Sequence, residues 1–164
     1  MKKIILLLVL GLSLYGGVRE GDQAVEFDLK SLDQSKSYKM QDFAGDVVLL
    51  NLWGSWCSGC KKEMPEFFKL QKEYANGFKI VAVSIDNDAA ASEKFLNSLE
   101  DELGYKTPFL TLHDPKKLLP KAYGAVAMPS SYLIDKNGVV RAVIVGSLSG
   151  DDIEELKQEI NKLK

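Results

Sequence analysis

The order of apolar and polar positions along the chain predicts alternating strands and helices. A continuous apolar run at residues 47–53, interrupted only by Asn51, is typical of a central parallel strand that is covered on both faces. Apolar residues then recur at helical spacing through residues 60–74, where Pro65 is expected to kink the helix. A second buried strand is predicted at residues 78–85. These three segments form a β-α-β unit.

The segments on either side of this unit complete the pattern of an α/β domain. Upstream, residues 25–29 alternate between apolar and polar side chains, as in a half-buried strand. Downstream we predict a helix, a short extended piece, a short helix, two antiparallel strands joined by a tight hairpin, and a C-terminal helix. These segments lie, in order, at residues 95–99, 108–112, 115–123, 131–135, 139–145 and 153–163. The predicted fold is a central mixed sheet flanked by helices, with an N-terminal strand region and a helical insertion after the first β-α-β unit.

The N-terminus has the pattern of an export signal. Lys2 and Lys3 precede an apolar run at residues 4–14, which is shorter than the ~20 residues of a membrane span. We therefore predict a signal peptide or an N-terminal membrane anchor at residues 1–17 and one domain at residues 18–164. The formal net charge of the whole chain is −2, so no nucleic-acid surface is predicted.

The two cysteines of the chain are three residues apart, where the buried strand gives way to the helix. A thiol at a helix N-terminus is close to unpaired backbone N–H groups and to the positive end of the helix dipole, and both favour the thiolate. The spacing places Cys57 and Cys60 on one helical face with Cα atoms roughly 5 to 6 Å apart, close enough for a disulfide. We predict that Cys57 is the exposed, attacking thiol and that Cys60 is the shielded, resolving thiol.

A structural disulfide and half of a zinc site are two other interpretations of the cysteine pair. A purely structural disulfide across so short a loop removes little entropy from the unfolded chain. Half of a zinc site would need about four ligands, and the chain has no further cysteine and one histidine, His113. We therefore predict no metal ion and no cofactor, and we interpret His113 as a structural or exposed residue.

The sequence around the cysteines resembles the exported TlpA/ResA-like thiol:disulfide oxidoreductases. The similar motifs are residues 47–61, Pro65 and residues 128–135, and the resemblance covers residues 21–163. It implies a thioredoxin-like fold and a periplasmic or other extracytoplasmic location. It also implies that Pro129 is the family's cis-proline beside the dithiol and that Met128 presents backbone groups to a substrate.

The residues at positions 51, 56 and 86–88 also bear on the mechanism that the resemblance implies. Thioredoxins commonly carry an aspartate at the position of Asn51, where it moves a proton to or from the buried thiol, and an amide cannot titrate. In ResA-like proteins an acidic residue after the next strand can take that part, but here the position is Asn87. The neighbouring Asp86 or Asp88 could support proton transfer, or could cap the following helix, which we favour. Trp56, beside the nucleophile, is interpreted as a substrate contact, with packing as the alternative.

The sequence thus predicts an exported enzyme that reduces disulfides in periplasmic proteins, apocytochrome c among them. A membrane electron donor of the DsbD/CcdA type would reduce the enzyme again. One alternative is a thiol peroxidase of the peroxiredoxin group, although the Thr-x-x-Cys context of that chemistry is absent. The other alternative is a copper-binding chaperone that uses the thiol pair.

Overall fold

The computed structural model describes residues 16–164, which form a seven-stranded sheet, four α-helices and a short 3₁₀ helix. The strands are β1 (Asp28–Ser31), β2 (Ser37–Lys39), β3 (Val47–Trp53), β4 (Phe78–Ser84), β5 (Leu110–His113), β6 (Ser130–Ile134) and β7 (Val140–Val145). The helices are α1 (Ser58–Glu73), α2 (Ala89–Leu103), α3 (Leu118–Tyr123) and α4 (Asp151–Leu163), and the 3₁₀ helix is Met40–Phe43. Residues 1–15 of the predicted signal or anchor lie outside the described part. Within residues 16–164, no helix has the length and apolar character needed to cross a membrane.

Strand β3 lies inside the sheet, whose strand order is β2-β1-β5-β4-β3-β6-β7. It pairs in parallel with β4 and antiparallel with β6, and all of its residues are buried. The predicted mixed sheet with helices against it is confirmed. Pro65 lies inside α1, which the structure assigns as one helix.

Each face of the sheet has its own apolar core. On one face, α1, α2 and α4 pack against β3 side chains such as Leu49 and Trp53. On the other face, α3, the 3₁₀ helix and the segment before β1 pack against Leu50 and Leu52 of the same strand. Burying a side chain of this size contributes roughly 1.5–3 kcal/mol. Both cores therefore hold β3 in place.

The N-terminal strand begins three residues later than the alternating pattern predicted. Lys30 and Ser31 pair with β5, whereas Val25 and Phe27 are partly buried against the second core outside any strand. The prediction of a strand at residues 25–29 was wrong in its bounds because alternation reports which side chains are buried and not which backbone groups are paired.

The segment before β1 connects α3 to the hairpin between β6 and β7. The amide of Val18 donates to the carbonyl of Tyr123 at 3.0 Å, and the amide of Ala24 donates to the carbonyl of Gly138 at 2.8 Å. The hydroxyl of Tyr123 also accepts a hydrogen bond from the amide of Val25 at 3.1 Å. These bonds hold the end of α3, and the loop that follows it, against the sheet.

Candidate active site

The cysteine pair lies at the junction of β3 and α1. Cys57 and Cys60 form a disulfide, and their Cα atoms are 5.3 Å apart. Cys57 is the N-cap residue of α1, with an extended backbone, and its Sγ atom accepts a hydrogen bond from the amide of Cys60 at 3.2 Å. The sulfur of Cys57 therefore occupies the position where a helix N-terminus stabilises a thiolate.

The two sulfur-bearing residues differ in exposure, although less than the sequence suggested. Cys57 is 6% exposed and Cys60 is fully buried. Cys57 is the more exposed of the two cysteines, as predicted, but it is itself buried. It is bonded to Cys60, and its amide is held by the carbonyl of Gly54 at 3.1 Å.

The loop before β6 packs against the residues between the cysteines. The Met128–Pro129 peptide bond is cis, as the family resemblance implies. A Cβ atom added at Gly59 would lie 3.2 Å from Cδ of Pro129 and 3.5 Å from Cβ of Ser147. The missing side chain at Gly59 thus lets the proline loop and the turn after β7 approach the dithiol closely.

The two tryptophans near the dithiol lie in different surroundings. Trp56 is 63% exposed, and its indole folds back over Gly54, where an added Cβ would lie 2.7 Å from Cε2 of the ring. Trp53 is buried, and its ring centroid is 5.8 Å from that of Phe95. Of these two rings, only Trp56 presents a large apolar surface to solvent beside Cys57.

A buried hydrogen-bonded cluster of polar side chains lies behind the dithiol. Asn51 Nδ2 donates to Oε1 of Glu63 at 2.8 Å and to Oγ of Ser131 at 3.0 Å. The amide of Leu148 donates to Oε2 of Glu63 at 3.0 Å. Asn51, Glu63 and Ser131 are all fully buried. The cluster connects α1, β3, β6 and the turn before α4.

Glu63 is a functional candidate that the sequence analysis missed. Burial raises its pKa to about 7, and the hydrogen bonds from Leu148 and Asn51 oppose part of that rise. Glu63 is three residues after Cys60, so the two side chains are neighbours on one face of α1. The sequence carried a signal: an acidic residue interrupts the apolar stripe of this helix between Cys60 and Phe67.

The two aspartates that were considered for proton transfer instead bind backbone groups. The carboxylate of Asp86, which is buried, accepts hydrogen bonds from the amide of Ser55 at 3.0 Å and from the hydroxyl of Ser92. Asp88 is the N-cap of α2 and accepts from the amide of Ala90 at 3.0 Å. Asp86 therefore holds the turn that precedes Cys57, and Asp88 begins a helix.

His113 belongs to the same region. Its Nε2 atom is 2.8 Å from the backbone carbonyl oxygen of Asp86. No group of three or more His, Cys, Asp or Glu side chains among residues 16–164 is arranged to hold a metal ion. The contact between His113 and the carbonyl of Asp86 connects β5 to the loop after β4.

Comparisons with known proteins identify the family. The AhpC/TSA family model matches residues 20–143. The chain is 38% identical to the thioredoxin-like protein YneN of Bacillus subtilis over 85% of this chain and 79% of YneN. It is 33% identical to the thiol-disulfide oxidoreductase ResA of Geobacillus thermodenitrificans over 100% of this chain and 95% of ResA.

A solved structure agrees with these sequence relationships. A Chlorobium tepidum protein assigned as the thiol:disulfide interchange protein DsbE superposes with a TM-score of 0.79 at 35% identity, over 89% of this chain and 98% of that one. The predicted thioredoxin-like fold is therefore confirmed, and the chain, which contains the Cys57–Cys60 disulfide, is a thiol:disulfide oxidoreductase. The chain belongs to the AhpC/TSA family and, within it, to the TlpA/ResA-like thiol:disulfide oxidoreductases.

Proposed function

We propose that this protein is an exported reductase of disulfides in extracytoplasmic proteins. The observation that carries the proposal is the Cys57–Cys60 disulfide at the N-terminus of α1, bordered by the loop of Pro129 and by the exposed ring of Trp56. A dithiol in this position can be oxidised and reduced without displacement of the backbone, since the Cα atoms are already 5.3 Å apart.

The reaction proceeds by two thiol–disulfide exchanges. The thiolate of Cys57 attacks one sulfur of the substrate disulfide, which releases the other substrate sulfur as a thiolate and leaves a mixed disulfide. Cys60 then loses its proton and attacks Sγ of Cys57, and the second substrate sulfur leaves. The substrate has gained two electrons and two protons, and the enzyme ends with the Cys57–Cys60 disulfide.

Glu63 accepts the proton of Cys60 in this mechanism. A general base works best when its pKa is near the operating pH, and burial brings the pKa of Glu63 to about 7. Asn51 positions the carboxylate through the bond to Oε1, and it has no proton of its own to exchange. Asp86 and Asp88 contribute by holding the Ser55 turn and the start of α2.

Partners follow from the direction of the reaction. Each turnover leaves the enzyme oxidised, so a membrane donor of the DsbD/CcdA type supplies two electrons for the next one. Apocytochrome c, which must keep its haem-attaching cysteines reduced, is the proposed substrate. Residues 1–17 export the chain or anchor it to the membrane, as their charged start and apolar run suggest. A measured reduction potential of the Cys57–Cys60 pair well below the roughly −120 mV of strongly oxidising dithiol proteins would support the reductase direction.

A thiol peroxidase is the second candidate, because the AhpC/TSA family model matches most of the chain. Here the reaction would consume hydrogen peroxide at Cys57 in place of a disulfide. Peroxide consumption by the reduced protein, measured beside reduction of a disulfide peptide with the CxxCH sequence of haem-attachment sites, separates the two. Faster turnover of the peptide supports the proposal, and faster turnover of peroxide favours the peroxidase.

Loss of the resolving thiol should trap substrates. With Cys60→Ser, the mixed disulfide at Cys57 cannot be resolved, so covalent adducts should accumulate with the disulfide peptide and in the native compartment. Non-reducing electrophoresis and mass spectrometry after acid quenching would detect them. Cys57→Ser is the matched control and should yield no adducts; equal trapping by both variants would contradict the assignment of the attacking thiol.

Replacing Glu63 should change how stability depends on pH. The pKa of Glu63 is raised from 4.5 to about 7 in the folded protein, so the native state loses stability relative to the unfolded state as the pH rises from 4.5 to 7. Glu63→Gln should remove this loss, which amounts to ~3 kcal/mol at most. Urea unfolding at several pH values between 4 and 8 measures it. A difference between variant and wild type that does not vary with pH would show that Glu63 does not titrate in this range.

A carboxylate at position 51 should move the pH dependence of exchange. Asn51→Asp would place a second acid where Nδ2 now lies 2.8 Å from Glu63, and repulsion between like charges should raise the pKa of the pair. The acid limb of the rate profile between pH 5 and 9 should then shift to higher pH by about one unit. Ser131→Ala removes the other partner of Asn51 without adding charge and should leave the limb nearly in place. Superimposable profiles for Asn51→Asp and wild type would remove this cluster from proton transfer.

A further inference from the structure

A basic and apolar surface lies on the side of the sheet that α3 covers. We define the α3 face as the exposed side chains of Lys116, Lys117, Leu118, Lys121 and Val126. Leu118 is 60% exposed and Val126 is 89% exposed. Residues 115–134 contain these three lysines and no acidic residue, although the chain as a whole has a formal net charge of −2. Positive charge and exposed apolar side chains thus occur together in this segment, and Glu26 of the segment before β1 is an acidic neighbour of Tyr123 at its end.

The described part of the chain begins at the edge of the α3 face. Gly17 packs backbone to backbone against the end of α3, where a Cβ atom added at Gly17 would lie 3.0 Å from Cα of Gly124. The amide of Val18 donates to the carbonyl of Tyr123 at 3.0 Å. These contacts hold Gly17 at the end of α3, where the loop to Pro129 begins.

The sequence that precedes Gly16 bears on what covers this face. The apolar run at residues 4–14 ends three residues before Gly17, and three residues span at most about 11 Å. If this run anchors the protein, the lipid headgroups come within that distance of the end of α3. Lysines attract anionic headgroups, and exposed leucine and valine side chains insert at the boundary between headgroups and acyl chains.

We propose that the α3 face binds an anionic lipid surface. This contact would hold the dithiol beside the membrane, at the edge of the protein surface that touches lipid. The inference rests on the anchoring part of the proposed function. The loop after α3 continues from Val126 to Pro129, which packs against Gly59 between the two cysteines. Membrane contact therefore keeps the dithiol close to the headgroups, where an electron donor embedded in the membrane reaches it.

Hydrogen exchange of the full chain, residues 1–164, tests the proposal. The protein is reconstituted into vesicles of phosphatidylglycerol mixed with phosphatidylcholine, into vesicles of phosphatidylcholine alone, and into micelles of a non-ionic detergent. Amides of residues 116–127 should exchange about fivefold more slowly in the phosphatidylglycerol vesicles than in the other two. The difference should shrink at about 0.5 M salt, because salt screens the attraction of lysines to anionic lipid.

Two charge-matched variants separate the α3 face from net charge. Lys116→Glu with Lys121→Glu should abolish the slower exchange. Lys62→Glu with Lys94→Glu changes the net charge equally. These two lysines are exposed on α1 and α2, which pack on the opposite face of the sheet from α3. This control should keep the slower exchange. An equal loss in both variants would overturn the proposal.

Flotation of the vesicles distinguishes failure of this inference from failure of the anchor. If the chain floats with both kinds of vesicle and the amides of residues 116–127 exchange equally in both, the anchor is retained. The proposal that the α3 face binds lipid is then overturned. A chain that floats with neither overturns the anchor and this inference together. Strong and equal protection of residues 116–127 in both kinds of vesicle and in detergent would indicate that something other than lipid covers the face, which also overturns the proposal.

Discussion

Strand β3 is buried along its whole length, and this constraint decides where the dithiol lies. A parallel pairing with β4 needs a crossover connection, which is α1, so this helix begins where β3 ends. The turn between them places Cys57 at the N-cap. The antiparallel pairing with β6 puts Ser131 opposite Asn51 and Ser130 opposite Leu52. Pro129 therefore arrives at the same end of β3 as the cysteines.

The environment that buries β3 also explains the chemistry of Glu63. A carboxylate in an apolar core is costly to ionise, and the two hydrogen bonds to Glu63 compensate only in part, so its pKa is raised to about 7. Such a group loses and gains a proton near neutral pH, whereas Asn51 cannot. The same burial lowers stability at neutral pH, so the acid costs free energy of folding where it is useful for proton transfer.

Patterns of burial could be predicted from the sequence, and contacts between distant segments could not. The runs at residues 47–53 and 78–85 predicted the central strands, since a strand covered on both faces has few polar positions. The first strand was misplaced because its pairing with β5 depends on backbone bonds that side-chain pattern does not report. The contact of Asp86 with the amide of Ser55 joins two loops and leaves no periodic trace.

Glu63 escaped the sequence-based prediction for a different reason. The family resemblance directs attention to Asn51, Asp86 and Asp88, which lie on β3 or just after β4. Helical spacing alone places Glu63 on the buried side of α1, where an acidic side chain is unusual and indicates a function. The helical periodicity of α1 therefore identifies Glu63 when it is applied to polar as well as to apolar residues.

Access to the sulfur atoms sets a final constraint on the substrate. Exchange requires contact between a sulfur of the substrate and Sγ of Cys57, yet Cys57 is only 6% exposed and Cys60 is fully buried. Pro129 and Ser147 close one side of the pair through their approach to Gly59. We therefore expect a disulfide on a flexible or unfolded segment to reach Sγ of Cys57 more readily than a disulfide inside a rigid, folded domain.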